Sequence, residues 1–180
     1  MLDSSSVRHA KRRQCRRAGV ETLELLLVTP VIVIVFVAAF QFGLVHWTQS
    51  AITHAATEGA REAGKDAPYQ TAADLVVEIA AVVDAVVQPM GIDISGTLGS
   101  GTRVYLEVGP NNANTAWFGD SDPGFDCEPP ASPILASNEV RVTVCVKLDK
   151  TPVLDVGALS YFGFVFPGNC FRISTVSLIE

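Results

Sequence analysis

The sequence predicts an α+β chain: a long N-terminal transmembrane helix, then a second helix and a small antiparallel sheet of about four strands. Three observations predict it. An almost unbroken apolar run at 25–45 follows a basic tract at 12–17. Residues 70–88 repeat apolar side chains at helical spacing. Beyond residue 91, short stretches of alternating apolar and polar residues lie between clusters of Gly, Pro, Asn and Asp. Helices first and strands afterwards is the order of an α+β domain.

Charge is segregated along the 180 residues. Six of the 13 Lys and Arg residues (Arg8, Lys11, Arg12, Arg13, Arg16 and Arg17) lie in the first 19 positions, where Asp3 is the single carboxylate. The remaining chain carries 7 basic and 18 acidic groups, a formal charge of −11 within the total of −6. Such a surface repels phosphate, so the basic end is a local signal and nucleic acid is excluded as a partner. Basic residues beside a spanning segment hold that end in the cytoplasm. Residues 1–19 therefore read as a cytoplasmic leader, with 1–11 unstructured, and Gly19-Val20 as a candidate cleavage site.

The run from Leu25 to Val45 has the ~20 residues that a bilayer requires. It continues past Ala38-Ala39, where an ordinary secretory signal would be cut. Pro30 removes one backbone donor and predicts a kink. Glu24 is the anomaly. A carboxylate costs up to ~3 kcal/mol if carried to the bilayer centre. The plain reading places Glu21 and Glu24 at the interface, favoured by the helix dipole. Cleavage after Gly19 offers a second reading: Val20 becomes an ammonium about one turn from Glu24, which neutralises it in its own or a neighbouring subunit.

The helix is expected to run on beyond the bilayer, past Trp47 as an interfacial anchor. Ile52, Ala55, Ala56, Gly59 and Ala63 form a narrow stripe of mainly small residues, suited to close helix approach. Gly64, with Pro68 after it, is the expected stop. From Glu24 to Glu62 such a helix is ~39 residues, or ~58 Å, long. The transmembrane helix and its stalk thus occupy 20–64. His46, His54 and Glu58 lack an HExxH spacing and a third ligand, so no metal site is read there.

The stretch GVETLELLLVTP…FGLVHWTQSAITHAATEGAREA resembles the TadE-like family, minor pilins or pseudopilins of the tight-adherence pilus. The family pattern is a basic leader ending in Gly, Glu five residues on, Pro six further, Phe-Gly, and an EGAR-like closing sequence. Here these are Gly19, Glu24, Pro30, Phe42-Gly43 and Glu58-Gly59-Ala60-Arg61. The resemblance covers residues 12–64. Leu25 stands where a common family form has an aromatic. The resemblance implies a pilin-like fold, cleavage between Gly19 and Val20 by a prepilin peptidase, and residence in the bacterial inner membrane with the C-terminal domain outside. It further implies assembly with other pilin-like subunits and the pilus machinery, with no catalysis and no cofactor.

Residues 65–180 form the extracytoplasmic domain. The second helix, 70–88, turns Leu75, Val76, Ile79, Val82, Val83 and Val86 inward and ends at Pro89 and Gly91. Residues 91–109 read as a hairpin, with Ile92, Ile94 and Leu98 in the first arm and Val104, Leu106 and Val108 in the second. Residues 110–138, rich in Pro, Gly, Asn and Asp, read as a long acidic loop. Within it Asp120, Asp122 and Asp126 follow a D-x-D-x-G-x-D spacing, a weak calcium candidate without the usual fifth- and twelfth-position ligands. Trp117 and Phe118 cover the core edge or meet a partner. The strand at 139–148 points Val140, Val142, Val144, Val146 and Leu148 inward, and Arg141, Thr143, Cys145 and Lys147 outward. Residues 149–169 are a connection containing Phe162, Phe164 and Phe166, and 170–179 a last strand.

Cys15 lies in the leader. Cys127, Cys145 and Cys170 lie outside, where disulfides persist. Three cysteines allow one bridge and leave one thiol over. Cys145–Cys170 would join the two strands, and Cys127 is a rival partner for either. No Ser-His-Asp, Cys-His or two-His-carboxylate set can be assembled, so an enzyme is not expected. The alternative is a single-pass envelope protein whose outer domain binds a ligand or calcium.

Overall fold

The computed structural model describes residues 4–110, 114–131, 133–147 and 170–180, with side chains from residue 23 onward. Helix α1 spans Ser4–Asp66 and α2 spans Ala72–Val87. Four strands follow: β1 Thr102–Val108, β2 Asn114–Gly119, β3 Glu139–Lys147 and β4 Cys170–Leu178. They form one antiparallel sheet in the order β2-β1-β3-β4. The chain is α+β. It divides into two compact units, residues 1–43 and residues 44–180, with the boundary inside α1.

The helix starts earlier and ends later than the sequence predicts. Residues 4–11 are helical, not unstructured. Neither Pro nor Gly occurs between Ser4 and Ala18, and Ala10, Lys11, Arg12, Arg13 and Gln14 are helix formers that extend a helix already nucleated downstream. At the other end α1 continues two residues past Gly64. This glycine is buried within the helix. A Cβ there would lie 2.5 Å from the Leu178 carbonyl oxygen, and the Glu180 N–H donates to the Gly64 carbonyl at 3.0 Å. Gly64 therefore serves a close approach to the end of β4, not a stop.

Thr71 caps α2: its hydroxyl oxygen accepts the Asp74 N–H at 3.4 Å. Leu75, Val76, Ile79, Ala80, Val83 and Val87 are buried on the inner face of this helix. Val82 and Val86 are half-buried at its margin. A 3-10 turn, Gln88–Met90, ends it before Gly91.

The core lies between the helices and one face of the sheet. Ile52, Ala55, Ala56, Ala60 and Ala63 of α1, the inner face of α2, Val104 and Leu106 of β1, and Val140, Val142, Val144 and Val146 of β3 form one buried cluster. Burying each of the larger side chains contributes ~1.5–3 kcal/mol.

Two strand assignments change. The first arm of the expected hairpin, 91–98, is irregular. Ile92 and Ile94 are buried, but Leu98 is exposed. Asp84 explains the absence of a ladder, because its Oδ1 accepts the Ile94 N–H at 2.9 Å. The fourth strand comes instead from the expected loop, as β2. Its Thr115, Trp117 and Phe118 are strand formers, and they pair with Glu107, Tyr105 and Val104 of β1. Pairing on both sides makes β3 a central strand. Its expected outward positions Arg141, Thr143 and Cys145 are buried too. Leu148 and the connection 149–169, with Phe162, Phe164 and Phe166, lie outside the described residues.

Candidate functional site

The elements with functional signals are the apolar half of α1, the EGAR motif and the segment 120–135. The first belongs to residues 1–43. From Leu23 to Phe36 every residue is exposed, as are Phe40 and Phe42. An 18-residue window of this helix is long and apolar enough to cross a membrane, and none of it is buried. Water would make such exposure costly, at ~25 cal/mol for each Å². A single-pass membrane anchor accounts for it. Glu24 sits exposed among Leu23, Leu25 and Leu26. The side chains of Gly19's neighbourhood, Val20 included, lie outside the described ones.

Pro30 lies inside the helix without ending it. It leaves the Leu26 carbonyl without its helical donor. The neighbouring Thr29 hydroxyl donates to the Leu25 carbonyl at 2.6 Å, a bond separate from the one that Pro30 removes. Gly43 has open space where a Cβ would stand, so packing within this chain does not require its small size.

The small-residue stripe is not free to meet a neighbour. Ile52, Ala55, Ala56 and Ala63 are fully buried in the core of residues 44–180. The EGAR motif sits in this contact. A Cβ on Gly59 would stand 3.0 Å from Val83, 3.1 Å from Ile79 and 3.5 Å from Val142. Ala60 is buried, Glu58 half-buried and Arg61 exposed. Gly59 and Ala60 thus bring α1 against α2 and β3. The motif closes the domain's own core, while the exposed apolar surface of α1 is the stretch 23–42.

Residues 120–131 and 133–135 cover the outer face of the sheet, which alternation alone would leave in solvent. Asp120 anchors them from a buried position. Its Oδ1 accepts the N–H groups of Gly99 at 2.8 Å and Asp122 at 2.9 Å, and its Oδ2 accepts that of Gly101 at 2.8 Å. Burial by itself pushes the Asp120 carboxyl up. The three N–H donors and the Arg103 charge outweigh it, and the carboxyl is held below its ordinary value. Arg103 donates to the carbonyls of Asp120 and Asp122. Its guanidinium lies 4.5 Å from the Trp117 ring centre and 4.4 Å from that of Phe125, a cation–π arrangement. The Tyr105 hydroxyl donates to the Cys127 carbonyl at 2.9 Å.

The three aspartates do not converge. Both Asp120 oxygens are occupied by backbone donors, Asp122 Oδ1 accepts the Gly124 N–H at 2.8 Å, and Asp126 is exposed with Lys147 at 4.0 Å. Among the described residues no group of three His, Cys, Asp or Glu is placed to hold a metal. His46 and His54 are both exposed on α1. The D-x-D-x-G-x-D spacing is here a turn held by carboxylate–amide bonds.

The disulfide joins Cys127 to Cys145, and Cys170 is free. The expected Cys145–Cys170 pairing is replaced by the rival partner for a geometric reason. Register sets Arg172, not Cys170, opposite Cys145. Diagonal neighbours in a sheet are ~7–8 Å apart at Cα, beyond comfortable disulfide reach. Cys127 approaches from the covering segment, with a Cα–Cα distance of 6.1 Å.

Alternation in sequence gives no hint of the buried ion pair on the same face of the sheet. Arg141 Nε donates to Glu107 Oε2 at 2.6 Å, and Nη1 donates to the Pro133 carbonyl at 2.9 Å. Glu107 and Arg141 face each other across β1 and β3. The covering segment keeps both from water, so each depends on the other for charge balance.

Residues 19–61 match the model of the family described as TadE-like protein, the family that the sequence resemblance names. The match starts at Gly19 and closes at Arg61. No curated protein matches the chain, and no solved structure does.

Proposed function

We propose that this protein is a non-catalytic minor pilin or pseudopilin of a tight-adherence-type pilus system. In this reading a prepilin peptidase cuts after Gly19, and the mature helix enters an assembly of similar helices in the membrane. The observation that carries it is the family match at 19–61, which spans the cleavage candidate, Glu24, Pro30 and the EGAR motif. The exposed apolar face from Leu23 to Phe42 supports the same reading, because it is the part of α1 that the chain's own domain leaves uncovered.

Each chemical part has a role. The basic tract holds the leader in the cytoplasm. Cleavage removes that anchor and creates an ammonium on Val20. Glu24 then supplies the opposite charge inside the hydrocarbon, where an unpaired ion costs several kcal/mol. In an assembly the pair forms within one subunit or between neighbours. The outer domain is carried on α1 by the Gly59–Ala63 contact and is presented on the extracytoplasmic side.

Glu24→Gln tests the charge role. The variant keeps the helix and its length but cannot balance an ammonium. Co-purification with other pilin-like subunits from detergent-solubilised membranes should fall at least ~10-fold, the factor that loss of ~1.4 kcal/mol produces. Association equal to that of the wild type would reduce α1 to a plain anchor.

A further inference from the structure

We propose that Cys127 is shared between two thiols, so that the bridge of the outer domain exchanges between Cys127–Cys145 and Cys127–Cys170. The inference is independent of any role in a pilus.

The geometry comes from one face of the sheet. Cys145 and Lys147 lie two residues apart on β3, and opposite them on β4 are Arg172 and Cys170. Successive residues of a strand point to opposite faces, so these four side chains share one face and mark the corners of a small rectangle. The covering segment is fastened above it at several points. Lys147 Nζ donates to the Gly124 carbonyl at 3.3 Å and faces the Asp126 carboxylate at 4.0 Å. Arg172 Nη1 donates to the Glu128 carbonyl at 3.2 Å. Cys127, between Asp126 and Glu128, is therefore held over both β3 and β4. Tyr105, Phe125, Cys127 and Cys145 form one buried cluster, and Cys170 packs against it.

A thiol beside a disulfide is a nucleophile beside its electrophile. The Cys170 thiolate attacks Cys127 Sγ. A Cys127–Cys170 bond forms while Cys127–Cys145 breaks. The electron pair leaves on Cys145 Sγ, which takes up a proton from water to match the one Cys170 released. One disulfide and one thiol stand on each side, so no oxidant or reductant is required. Cys145, buried within β3, is then a small apolar side chain, an ordinary state for a free cysteine. Burial and then the Asp126 carboxylate push the Cys170 thiol up, against the opposing pull of Arg172 and Lys147. A small thiolate fraction makes the exchange slow. The exchange moves the tether of the covering segment from the central strand to β4.

The test uses the full chain, purified in detergent without reductant. The protein is incubated at mildly alkaline pH, acid-quenched, unfolded, alkylated with N-ethylmaleimide and mapped by peptide mass spectrometry. The alkyl label should appear on both Cys170 and Cys145, with Cys127 always bridged. Among Cys127, Cys145 and Cys170, label confined to Cys170 after prolonged incubation overturns the proposal. Cys145→Ser, oxidised in a glutathione disulfide buffer, provides a second arm, because Cys170 is then the thiol packed against the cluster that holds Cys127. Cys127 and Cys170 should be found joined in that variant, and alkylation of both of them overturns the proposal equally.

Discussion

Asp120 shows how one side chain converts an acidic loop into a structured cover. Its two oxygens collect three backbone N–H groups from two separate turns. Its carboxyl titrates below the ordinary 3.8 despite burial. A depressed carboxyl contributes stability that is full above its unfolded value and is lost as pH falls through the lower folded value. Asp120→Asn removes the charge and one acceptor. It should lower the melting temperature at neutral pH, where unmade buried hydrogen bonds cost ~1–3 kcal/mol. The gap between wild type and variant should narrow below pH 3.8. A gap that stays constant through the acid range would mean that the charge of Asp120 contributes nothing. The residue's part in the fold was not legible: its D-x-D-x-G-x-D spacing suggests a metal loop, whereas the carboxylates bind backbone N–H groups. What the spacing omits is the partner, since Gly99 and Gly101 lie some twenty residues earlier in the chain.

At the scale of elements, the helices and the strands β3 and β4 were legible because local pattern alone specifies them. The apolar period of α2 and the Val-x-Val-x-Val repeat of β3 leave little choice of structure. The first hairpin arm was misread because Ile92 and Ile94 alternate as a strand would, while the Asp84 side chain takes the backbone donor that a ladder needs. Strand β2 was missed because its Asn114 and Gly119 ends look like loop, and only pairing with β1 gives Trp117 and Phe118 a strand's role. Burial of Arg141 and Cys145 was invisible for a similar reason: a covering segment distant in sequence seals a face that alternation marks as outward. Gly64 gives the sharpest test of element packing. Gly64→Ala gains helix propensity of ~1 kcal/mol, yet its Cβ would meet the Leu178 carbonyl oxygen at 2.5 Å. Backbone cannot swing aside as a flexible side chain can. The variant should lose ~1–3 kcal/mol in chemical denaturation, the usual cost of overpacking. An unchanged or raised stability would show that the end of β4 yields freely.

For the whole molecule, the two compact units divide the work of one long helix. Residues 44–66 of α1 are bound into the outer domain through Ile52, Ala55, Ala56 and Ala63. The stripe that sequence suggested for close helix approach is thus used within the domain, and the exposed stretch from Leu23 to Phe42 is the apolar surface that the domain leaves uncovered. The pattern at 12–64 was readable in sequence because each part answers to membrane physics: cationic flank, carboxylate, apolar run and small packing residues. The outer domain has no such one-to-one grammar, and its chemistry became visible only when strands and covering segment were brought together. The central claim concerns an event at one peptide bond, between Gly19 and Val20. Mass spectrometry of the protein extracted from its native membrane tests it directly. A mature chain beginning at Val20 is the predicted result, and a chain that retains its basic leader would contradict the account.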